Sequence, residues 1–262
     1  MPKLSKFCIE LIQERLVDLD DPQALQNEVV VHQLRVLTKR LRAAWHLAQP
    51  ACGKKFARKR RGAMRDLSAL LAESRDRSVQ LALVERLYSD HPDLSKRSLQ
   101  ALCDTGEGLS PLADQAHRTQ IKRSLNKEIS AWKKVILKSD QQMILRRRWR
   151  KSMGQARELA HQTARSDDPE LWHSWRKAVK RLRYQREFLG MINPQILGKK
   201  DVRIFKLGLR LGEHNDLANF ARHVASSKNN TAKVKAINRV VTREHAKIKR
   251  KCRHLSRKLF GH

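Results

Sequence analysis

Apolar residues recur three and four positions apart along almost the whole chain, and no segment alternates convincingly at period two. This pattern predicts helices throughout. Even the β-branched run Val29-Val30-Val31 lies inside apolar spacing that continues at the helical period. Helix starts are marked by Asp20-Asp21-Pro22, Ser110-Pro111 and Asp167-Asp168-Pro169, each an acidic or hydroxyl cap followed by proline in the first turn. The expected helices lie near 4–19, 22–49, 53–74, 77–89 and 111–138, with a short extra turn near 94–103. A second set lies near 140–165, 169–190, 195–212, 214–227 and 231–259. Apart from the opening helix, the two sets share one order of lengths. That predicts an all-α protein built by internal duplication, with halves 1–139 and 140–262.

One pair of segments matches residue by residue. His32-Gln33-Leu34-Arg35-Val36-Leu37-Thr38-Lys39-Arg40-Leu41-Arg42 and His173-Ser174-Trp175-Arg176-Lys177-Ala178-Val179-Lys180-Arg181-Leu182-Arg183 both read H-x-x-R-x-x-x-K-R-L-R, at a constant offset of 141 residues. At roughly 100° per residue, the histidine and the basic residues 3, 7 and 10 positions later fall within an arc of about 80°. His32, Arg35, Lys39 and Arg42 therefore line one stripe, and His173, Arg176, Lys180 and Arg183 line another. Arg40 and Arg181 complete the matched basic positions, and His46 extends the first stripe. Leu34, Leu37, Leu41 and Ala48 take the opposite side of the first helix, as Ala178, Leu182 and Leu189 do in the second. Each helix is thus expected to pack one face into a bundle and turn a basic face outward. A merely solvated face would accept Lys, Glu, Gln and Ser alike. Here no acidic residue lies between His32 and Arg42, or between His173 and Arg183. Cations at this density repel one another and call for an anionic counterpart.

Composition points the same way. The chain of 262 residues carries 57 Lys or Arg against 26 Asp or Glu, a formal net charge of +31. Its 40% hydrophobic content is that of a folded protein, so the charge speaks about partners: nucleic acid, acidic membrane surfaces or polymeric phosphate. Cys8, Cys52, Cys103 and Cys252 show no C-x-x-C or zinc-type spacing and read as ordinary thiols of a reducing compartment. The N-terminus lacks the apolar core of a signal peptide, and no long uncharged apolar run occurs, so a cytoplasmic protein is expected.

Further basic residues flank the stripes, Arg61 and Arg65 after the first and Lys206 after the second among them. A weaker correspondence joins the segment ending at Asp76 to the one ending at Asp216, which lie 44 and 43 residues after His32 and His173. Either acid could orient a basic side chain; capping the next helix is the simpler role. Catalysis is not expected. The carboxylates are scattered, with no pair placed for divalent ions beside the stripes, and no P-loop or H-E-x-x-H motif occurs. No metal and no cofactor are implied. Single-stranded nucleic-acid recognition is disfavoured by an aromatic content of 5%, and no compact helix-turn-helix is found. Sequence-independent binding of duplex DNA or structured RNA stays open as the alternative.

At the duplicated His-x-x-Arg-x-x-x-Lys-Arg-Leu-Arg helix, with Tyr184 after the second copy and the elements ending at Asp76 and Asp216, the chain resembles the CHAD family, the conserved histidine α-helical domain. The resemblance covers about residues 5–260. It implies two pseudo-symmetric antiparallel four-helix bundles flanking a basic groove or pore that binds inorganic polyphosphate, and association with polyphosphate granules. Members are often joined to a CYTH triphosphate-tunnel domain. No E-x-E-x-K signature of that fold is found, so a stand-alone CHAD domain is expected. Trp172 and Trp175 make the second motif bulkier than the family pattern, and Asn215 stands where the first half has Arg75. The chemistry suits the ligand. Polyphosphate is a flexible strand with about one charge per internal phosphoryl group and no bases. Arg forks and Lys point charges serve such a strand without any base-reading group. The candidate phosphate-binding residues are His32, Arg35, Lys39, Arg40, Arg42, Arg65, His173, Arg176, Lys180, Arg181, Arg183 and Lys206.

Overall fold

The computed structural model describes residues 3–71, 76–101, 115–135, 141–197, 201–226 and 231–261. These residues form α1 (Lys3–Asp18), α2 (Glu28–Cys52), α3 (Lys54–Leu70), α4 (Asp76–Asp90), α5 (Lys96–Ala101), α6 (Gln115–Lys133), α7 (Gln141–Arg165), α8 (Pro169–Ile192), α9 (Asp201–Ser226) and α10 (Ala232–Phe260), with no strand among them. The expected all-α class holds. Among the boundaries that differ from the periodicity reading, three have a clear local reason. The first motif helix begins at Glu28 and not near 22. Asn27 takes an extended backbone and its side chain accepts the Val29 N–H at 2.9 Å, while residues 24–26 form a separate 3₁₀ turn. The same helix runs past Pro50 to Cys52 before Gly53, at φ 84°, turns the chain into α3. Finally, the two helices expected at 195–212 and 214–227 are one, α9. Gly212 keeps a negative φ, so it costs some helix propensity without ending the helix. Where Asp168-Pro169 predicts a start, α8 begins, and Asp168 accepts the Glu170 N–H at 2.9 Å. The Ser110-Pro111 signal and Cys103 lie outside the described residues.

The two motif helices are the spine. Helix α2 packs on α3, α7 and α8, and α8 packs on α7 and α9, while α10 runs along α9. Buried apolar residues from both halves join one cluster, with Trp45, Trp132, Trp172, Trp175, Phe188 and Phe220 among its largest members. Trp45 of α2 stacks on Trp132 of α6 at 3.8 Å between centroids. Trp175 is a core residue, not a groove residue. Among the described residues, no helix is long and apolar enough to cross a membrane.

A buried ion pair ties three helices of the first half together. The Glu128 side chain of α6 is fully buried; Arg60 of α3 donates Nε–H to its Oε2 at 3.0 Å, and the Trp45 indole N–H of α2 donates to Oε1. Burial pushes the Glu128 carboxyl up, and the Arg60 charge opposes that. Removing one partner of such a pair strands the other charge, which costs about 3–5 kcal/mol. Glu128→Ala should therefore lower unfolding stability in urea by about that much. A loss under about 1 kcal/mol would show that the pair does not anchor α6.

Candidate anion-binding site

Contact between α2 and α8 brings the two motif copies face to face. Arg40 of α2 donates Nε–H to Glu187 of α8 at 2.8 Å, and the Gln185 amide reaches the Ala43 carbonyl at 3.5 Å. The 141-residue offset relates Arg40 to Arg181 and Glu187 to His46. The position related to Glu187 thus holds a histidine, and among the charges acting on His46 that of Arg181 is the largest. One side of the interface therefore holds an ion pair. Where the offset would place a second acid, the chain has the neutral imidazole of His46 within the field of Arg181.

Around that imidazole four helices supply arginines. Pro50 has no N–H, so the His46 carbonyl, four residues earlier, lacks its helical donor. Arg148 of α7 takes the place of that donor, with Nε–H to the His46 carbonyl at 2.8 Å. The Gln49 side-chain oxygen accepts from both Arg148 (2.7 Å) and Arg61 of α3 (3.3 Å). Arg181 donates to the Gln155 amide oxygen at 3.0 Å. Arg42, one turn before His46, lies close enough to Arg61 and Arg65 for mutual repulsion. No carboxylate pairs with Arg42, Arg61, Arg148 or Arg181 among the described residues. Their acceptors are neutral oxygens, which orient a guanidinium and leave its charge uncancelled.

The electrostatic consequence is uniform. Burial, then repulsion from neighbouring arginines, holds Arg42, Arg61 and Arg181 below the usual arginine range; for Arg148 the cause is burial. His46 is pushed down to about 2, first by burial and then by Arg181, Arg61, Arg148 and Arg42. The imidazole is neutral at any physiological pH, and the cluster is an excess of positive charge partly withdrawn from water. An entering anion would meet charge that no acid pairs with among the described residues.

The sequence-derived residues fall into several groups. Arg42 and Arg181 belong to the cluster, with the exposed Arg65 beside Arg42. Arg35 is half-buried and donates to the Leu71 carbonyl at 2.6 Å, so it also fastens the end of α3. Lys39 and Lys180 are half-buried, and His32 is exposed near the start of α2. The basic faces are thus less outward than expected. Arg40 is held by Glu187, and Arg183 lies over the Phe205 ring at 4.7 Å. His173 and Arg176 line a separate cavity of about 430 Å³ between α8, α9 and α10. Lys206 lines another cavity, of about 610 Å³, with Arg210 and Arg250. Asp216 is half-buried within α9, not at a helix start, and Asn215 approaches the Asp216 carboxylate at 3.4 Å. Helical spacing missed Arg148, which sits in an undifferentiated Arg146-Arg147-Arg148 run; the proline four residues after His46 is the one signal that could have pointed to it.

An all-α protein whose central helices converge arginines near a neutral histidine is, by class, a helical-bundle protein with a candidate anion site. The CHAD domain description matches residues 11–225, and the chain belongs to that family. No curated protein matches it in sequence. In fold it is similar to "PptA from Streptomyces chartreusis", with a TM-score of 0.67 and 16% identity over 99% of this chain and 98% of that one.

The depressed histidines set an acid limb. An unfolded chain takes up protons near the ordinary histidine value of 6.5, whereas folded His46 resists until about 2 and His214 until about 3. Above the unfolded value neither contributes. As pH falls below it, the unfolded state binds protons that the folded state refuses, so stability drops by up to about 1.4 kcal/mol per pH unit for each histidine. His46→Gln should leave the melting temperature at about pH 7 nearly unchanged and shrink its fall toward about pH 5. An acid limb equally steep in the variant would contradict this assignment.

Proposed function

We infer that the protein binds inorganic polyphosphate, without turning it over, through the arginine cluster between α2, α3, α7 and α8. The observation that carries this reading is the set of uncancelled, half-buried guanidiniums oriented by Gln49, Gln155 and the His46 carbonyl. Such an array favours a ligand that brings several charges at short intervals and asks for no base recognition. Family membership supports the same ligand class. Nucleic acid is the weaker reading, because aromatic surface for base stacking is sparse among the described residues: all five tryptophans are buried, Arg183 covers Phe205, and Phe56 is a lone exposed ring in the cleft between α3 and α6. On this reading, the repeated motif helices and the offset that relates Arg40 to Arg181 and Glu187 to His46 reflect duplication of 1–139 as 140–262. Action in the cytoplasm, at granules of the polymer, is the setting that goes with this ligand.

Two charge-matched triples test the site. Arg42, Arg61 and Arg181 to Gln removes cluster charge, whereas Lys235, Arg239 and Arg243 to Gln removes the same charge from the exposed face of α10. Each charge-assisted contact is worth about 1 kcal/mol or more, so the first triple should weaken long-chain polyphosphate binding well over tenfold. The second should change it by less than about threefold. Affinity should fall steeply with added salt and exceed that for duplex DNA at equal phosphate concentration. Equal losses from both triples, or tighter binding to DNA, would sink this assignment.

A further inference from the structure

The cavity between α8, α9 and α10 is built differently from the arginine cluster. It is more enclosed than the basic clefts between α3 and α6 and between α9 and α10. His173 and Arg176 of the second motif line it, together with His214 and Asn215 of α9 and His245 and Lys249 of α10. His214 is only 6% exposed. Trp172 stacks on one side of its ring at 4.3 Å, and the His245 ring lies 4.4 Å away. The faces of this imidazole are occupied, so its ring edge is what it can offer. The Nε2 atoms of His214 and His245 are both buried, and neither has a hydrogen-bond partner among the described residues. Two buried, unsatisfied ring nitrogens in one cavity wall are a cost that a bound ligand would remove.

The charges around them narrow the ligand class. Arg176 and Arg222 bring positive charge to the lining. At the rim, Asp167 accepts from Lys249 at 3.0 Å and from Arg253 at 3.2 Å, and both cations lie 5.6 Å from the Trp172 ring. The Asp167 charge is therefore compensated, and Glu170 stands exposed at the start of α8. An internal phosphoryl group is bonded to the chain on two sides and needs an open track. A pocket more closed than those clefts, with edge-on imidazole donors, suits a phosphate with at most one covalent attachment, which carries more charge and presents three or more free oxygens.

We propose that this cavity receives a terminal phosphate, the end of a polyphosphate chain or free orthophosphate, with His214 and His245 donating to its oxygens and Arg176 supplying charge. The proposal rests on the polyphosphate reading and adds an end-binding site to it. Linear tripolyphosphate and cyclic trimetaphosphate have the same number of phosphoryl groups, but only the linear form has ends. Calorimetric titration of the full chain should show linear tripolyphosphate binding at least about tenfold more tightly. Because the linear form also carries more charge, variants decide the cause. His245→Phe and His214→Phe keep a ring in place and remove the nitrogens, and His245 is the half-exposed one of the two and so the safer for folding. The linear preference should collapse to about threefold or less in each folded variant, and should persist when Arg42, Arg61 and Arg181 are Gln. Competition by orthophosphate assigns the cavity to the free ion; its absence assigns it to chain ends. Equal binding of linear and cyclic forms, or a preference that survives both histidine changes, overturns the proposal. If long chains still bind through the cluster in that case, only the end site fails. If no phosphate polymer binds at all, the underlying reading fails with it.

Discussion

Direct packing of α2 on α8 is the constraint from which the rest follows. Two helices with the same basic pattern cannot approach closely unless the charges at their contact are matched or turned aside. Here one contact is matched, Arg40 with Glu187, whereas the position the offset relates to Glu187 is His46, which carries no charge to set against Arg181. That missing acid leaves positive charge at the heart of the fold. Pro50 adds to it: by freeing the His46 carbonyl it creates an acceptor that Arg148 of α7 comes in to satisfy. The first half secures itself elsewhere, through Glu128, Arg60 and Trp45, so the cluster is not what holds α3 in place.

Much of the fold was legible because helical periodicity is a local signal and this chain follows it nearly everywhere. The all-α class, the Asp168-Pro169 start of α8 and the motif helices could all be read from spacing and caps. Misreadings came where a punctuating residue did not punctuate. Gly212 sits inside α9 because nothing there demands a positive φ, and Pro50 stays inside α2 because a side chain satisfies the carbonyl it frees. Asp20-Asp21-Pro22 leads only into a 3₁₀ turn, since Asn27 offers the better cap. The site was legible in part. Spacing identified Arg42, Arg181, His173 and Arg176, but it cannot report which helices meet. Arg148 therefore stayed hidden, Arg40 proved to have an acid partner, and Lys206 lines a different cavity.

The choice of acceptors is what separates a binding cluster from a structural one. Three arginines that tie helices together have carboxylates: Arg60 has Glu128, Arg40 has Glu187, and Arg253 has Asp167, whereas Arg35 and Arg203 each hold a single backbone carbonyl. The cluster arginines Arg61, Arg148 and Arg181 have amide and carbonyl oxygens, which fix direction without cancelling charge. An arrangement of this kind stores repulsion in the free protein, which, on the proposed function, an incoming polyanion would relieve. Stability and affinity are then expected to move in opposite directions when one of these charges is removed.

Arg42 offers the cleanest reading of that opposition. It is half-buried, it repels Arg61 and Arg65, and it makes no hydrogen bond or ion pair within the protein among the described residues. Arg42→Met keeps most of the packed stem and deletes the charge. The decisive measurement is the unfolding free energy of this variant at low salt, taken beside its affinity for long-chain polyphosphate. The expected result is a stability equal to or above that of the parent, with affinity reduced several-fold. A clear loss of stability with affinity unchanged would mean that Arg42 serves the fold, and would contradict the account.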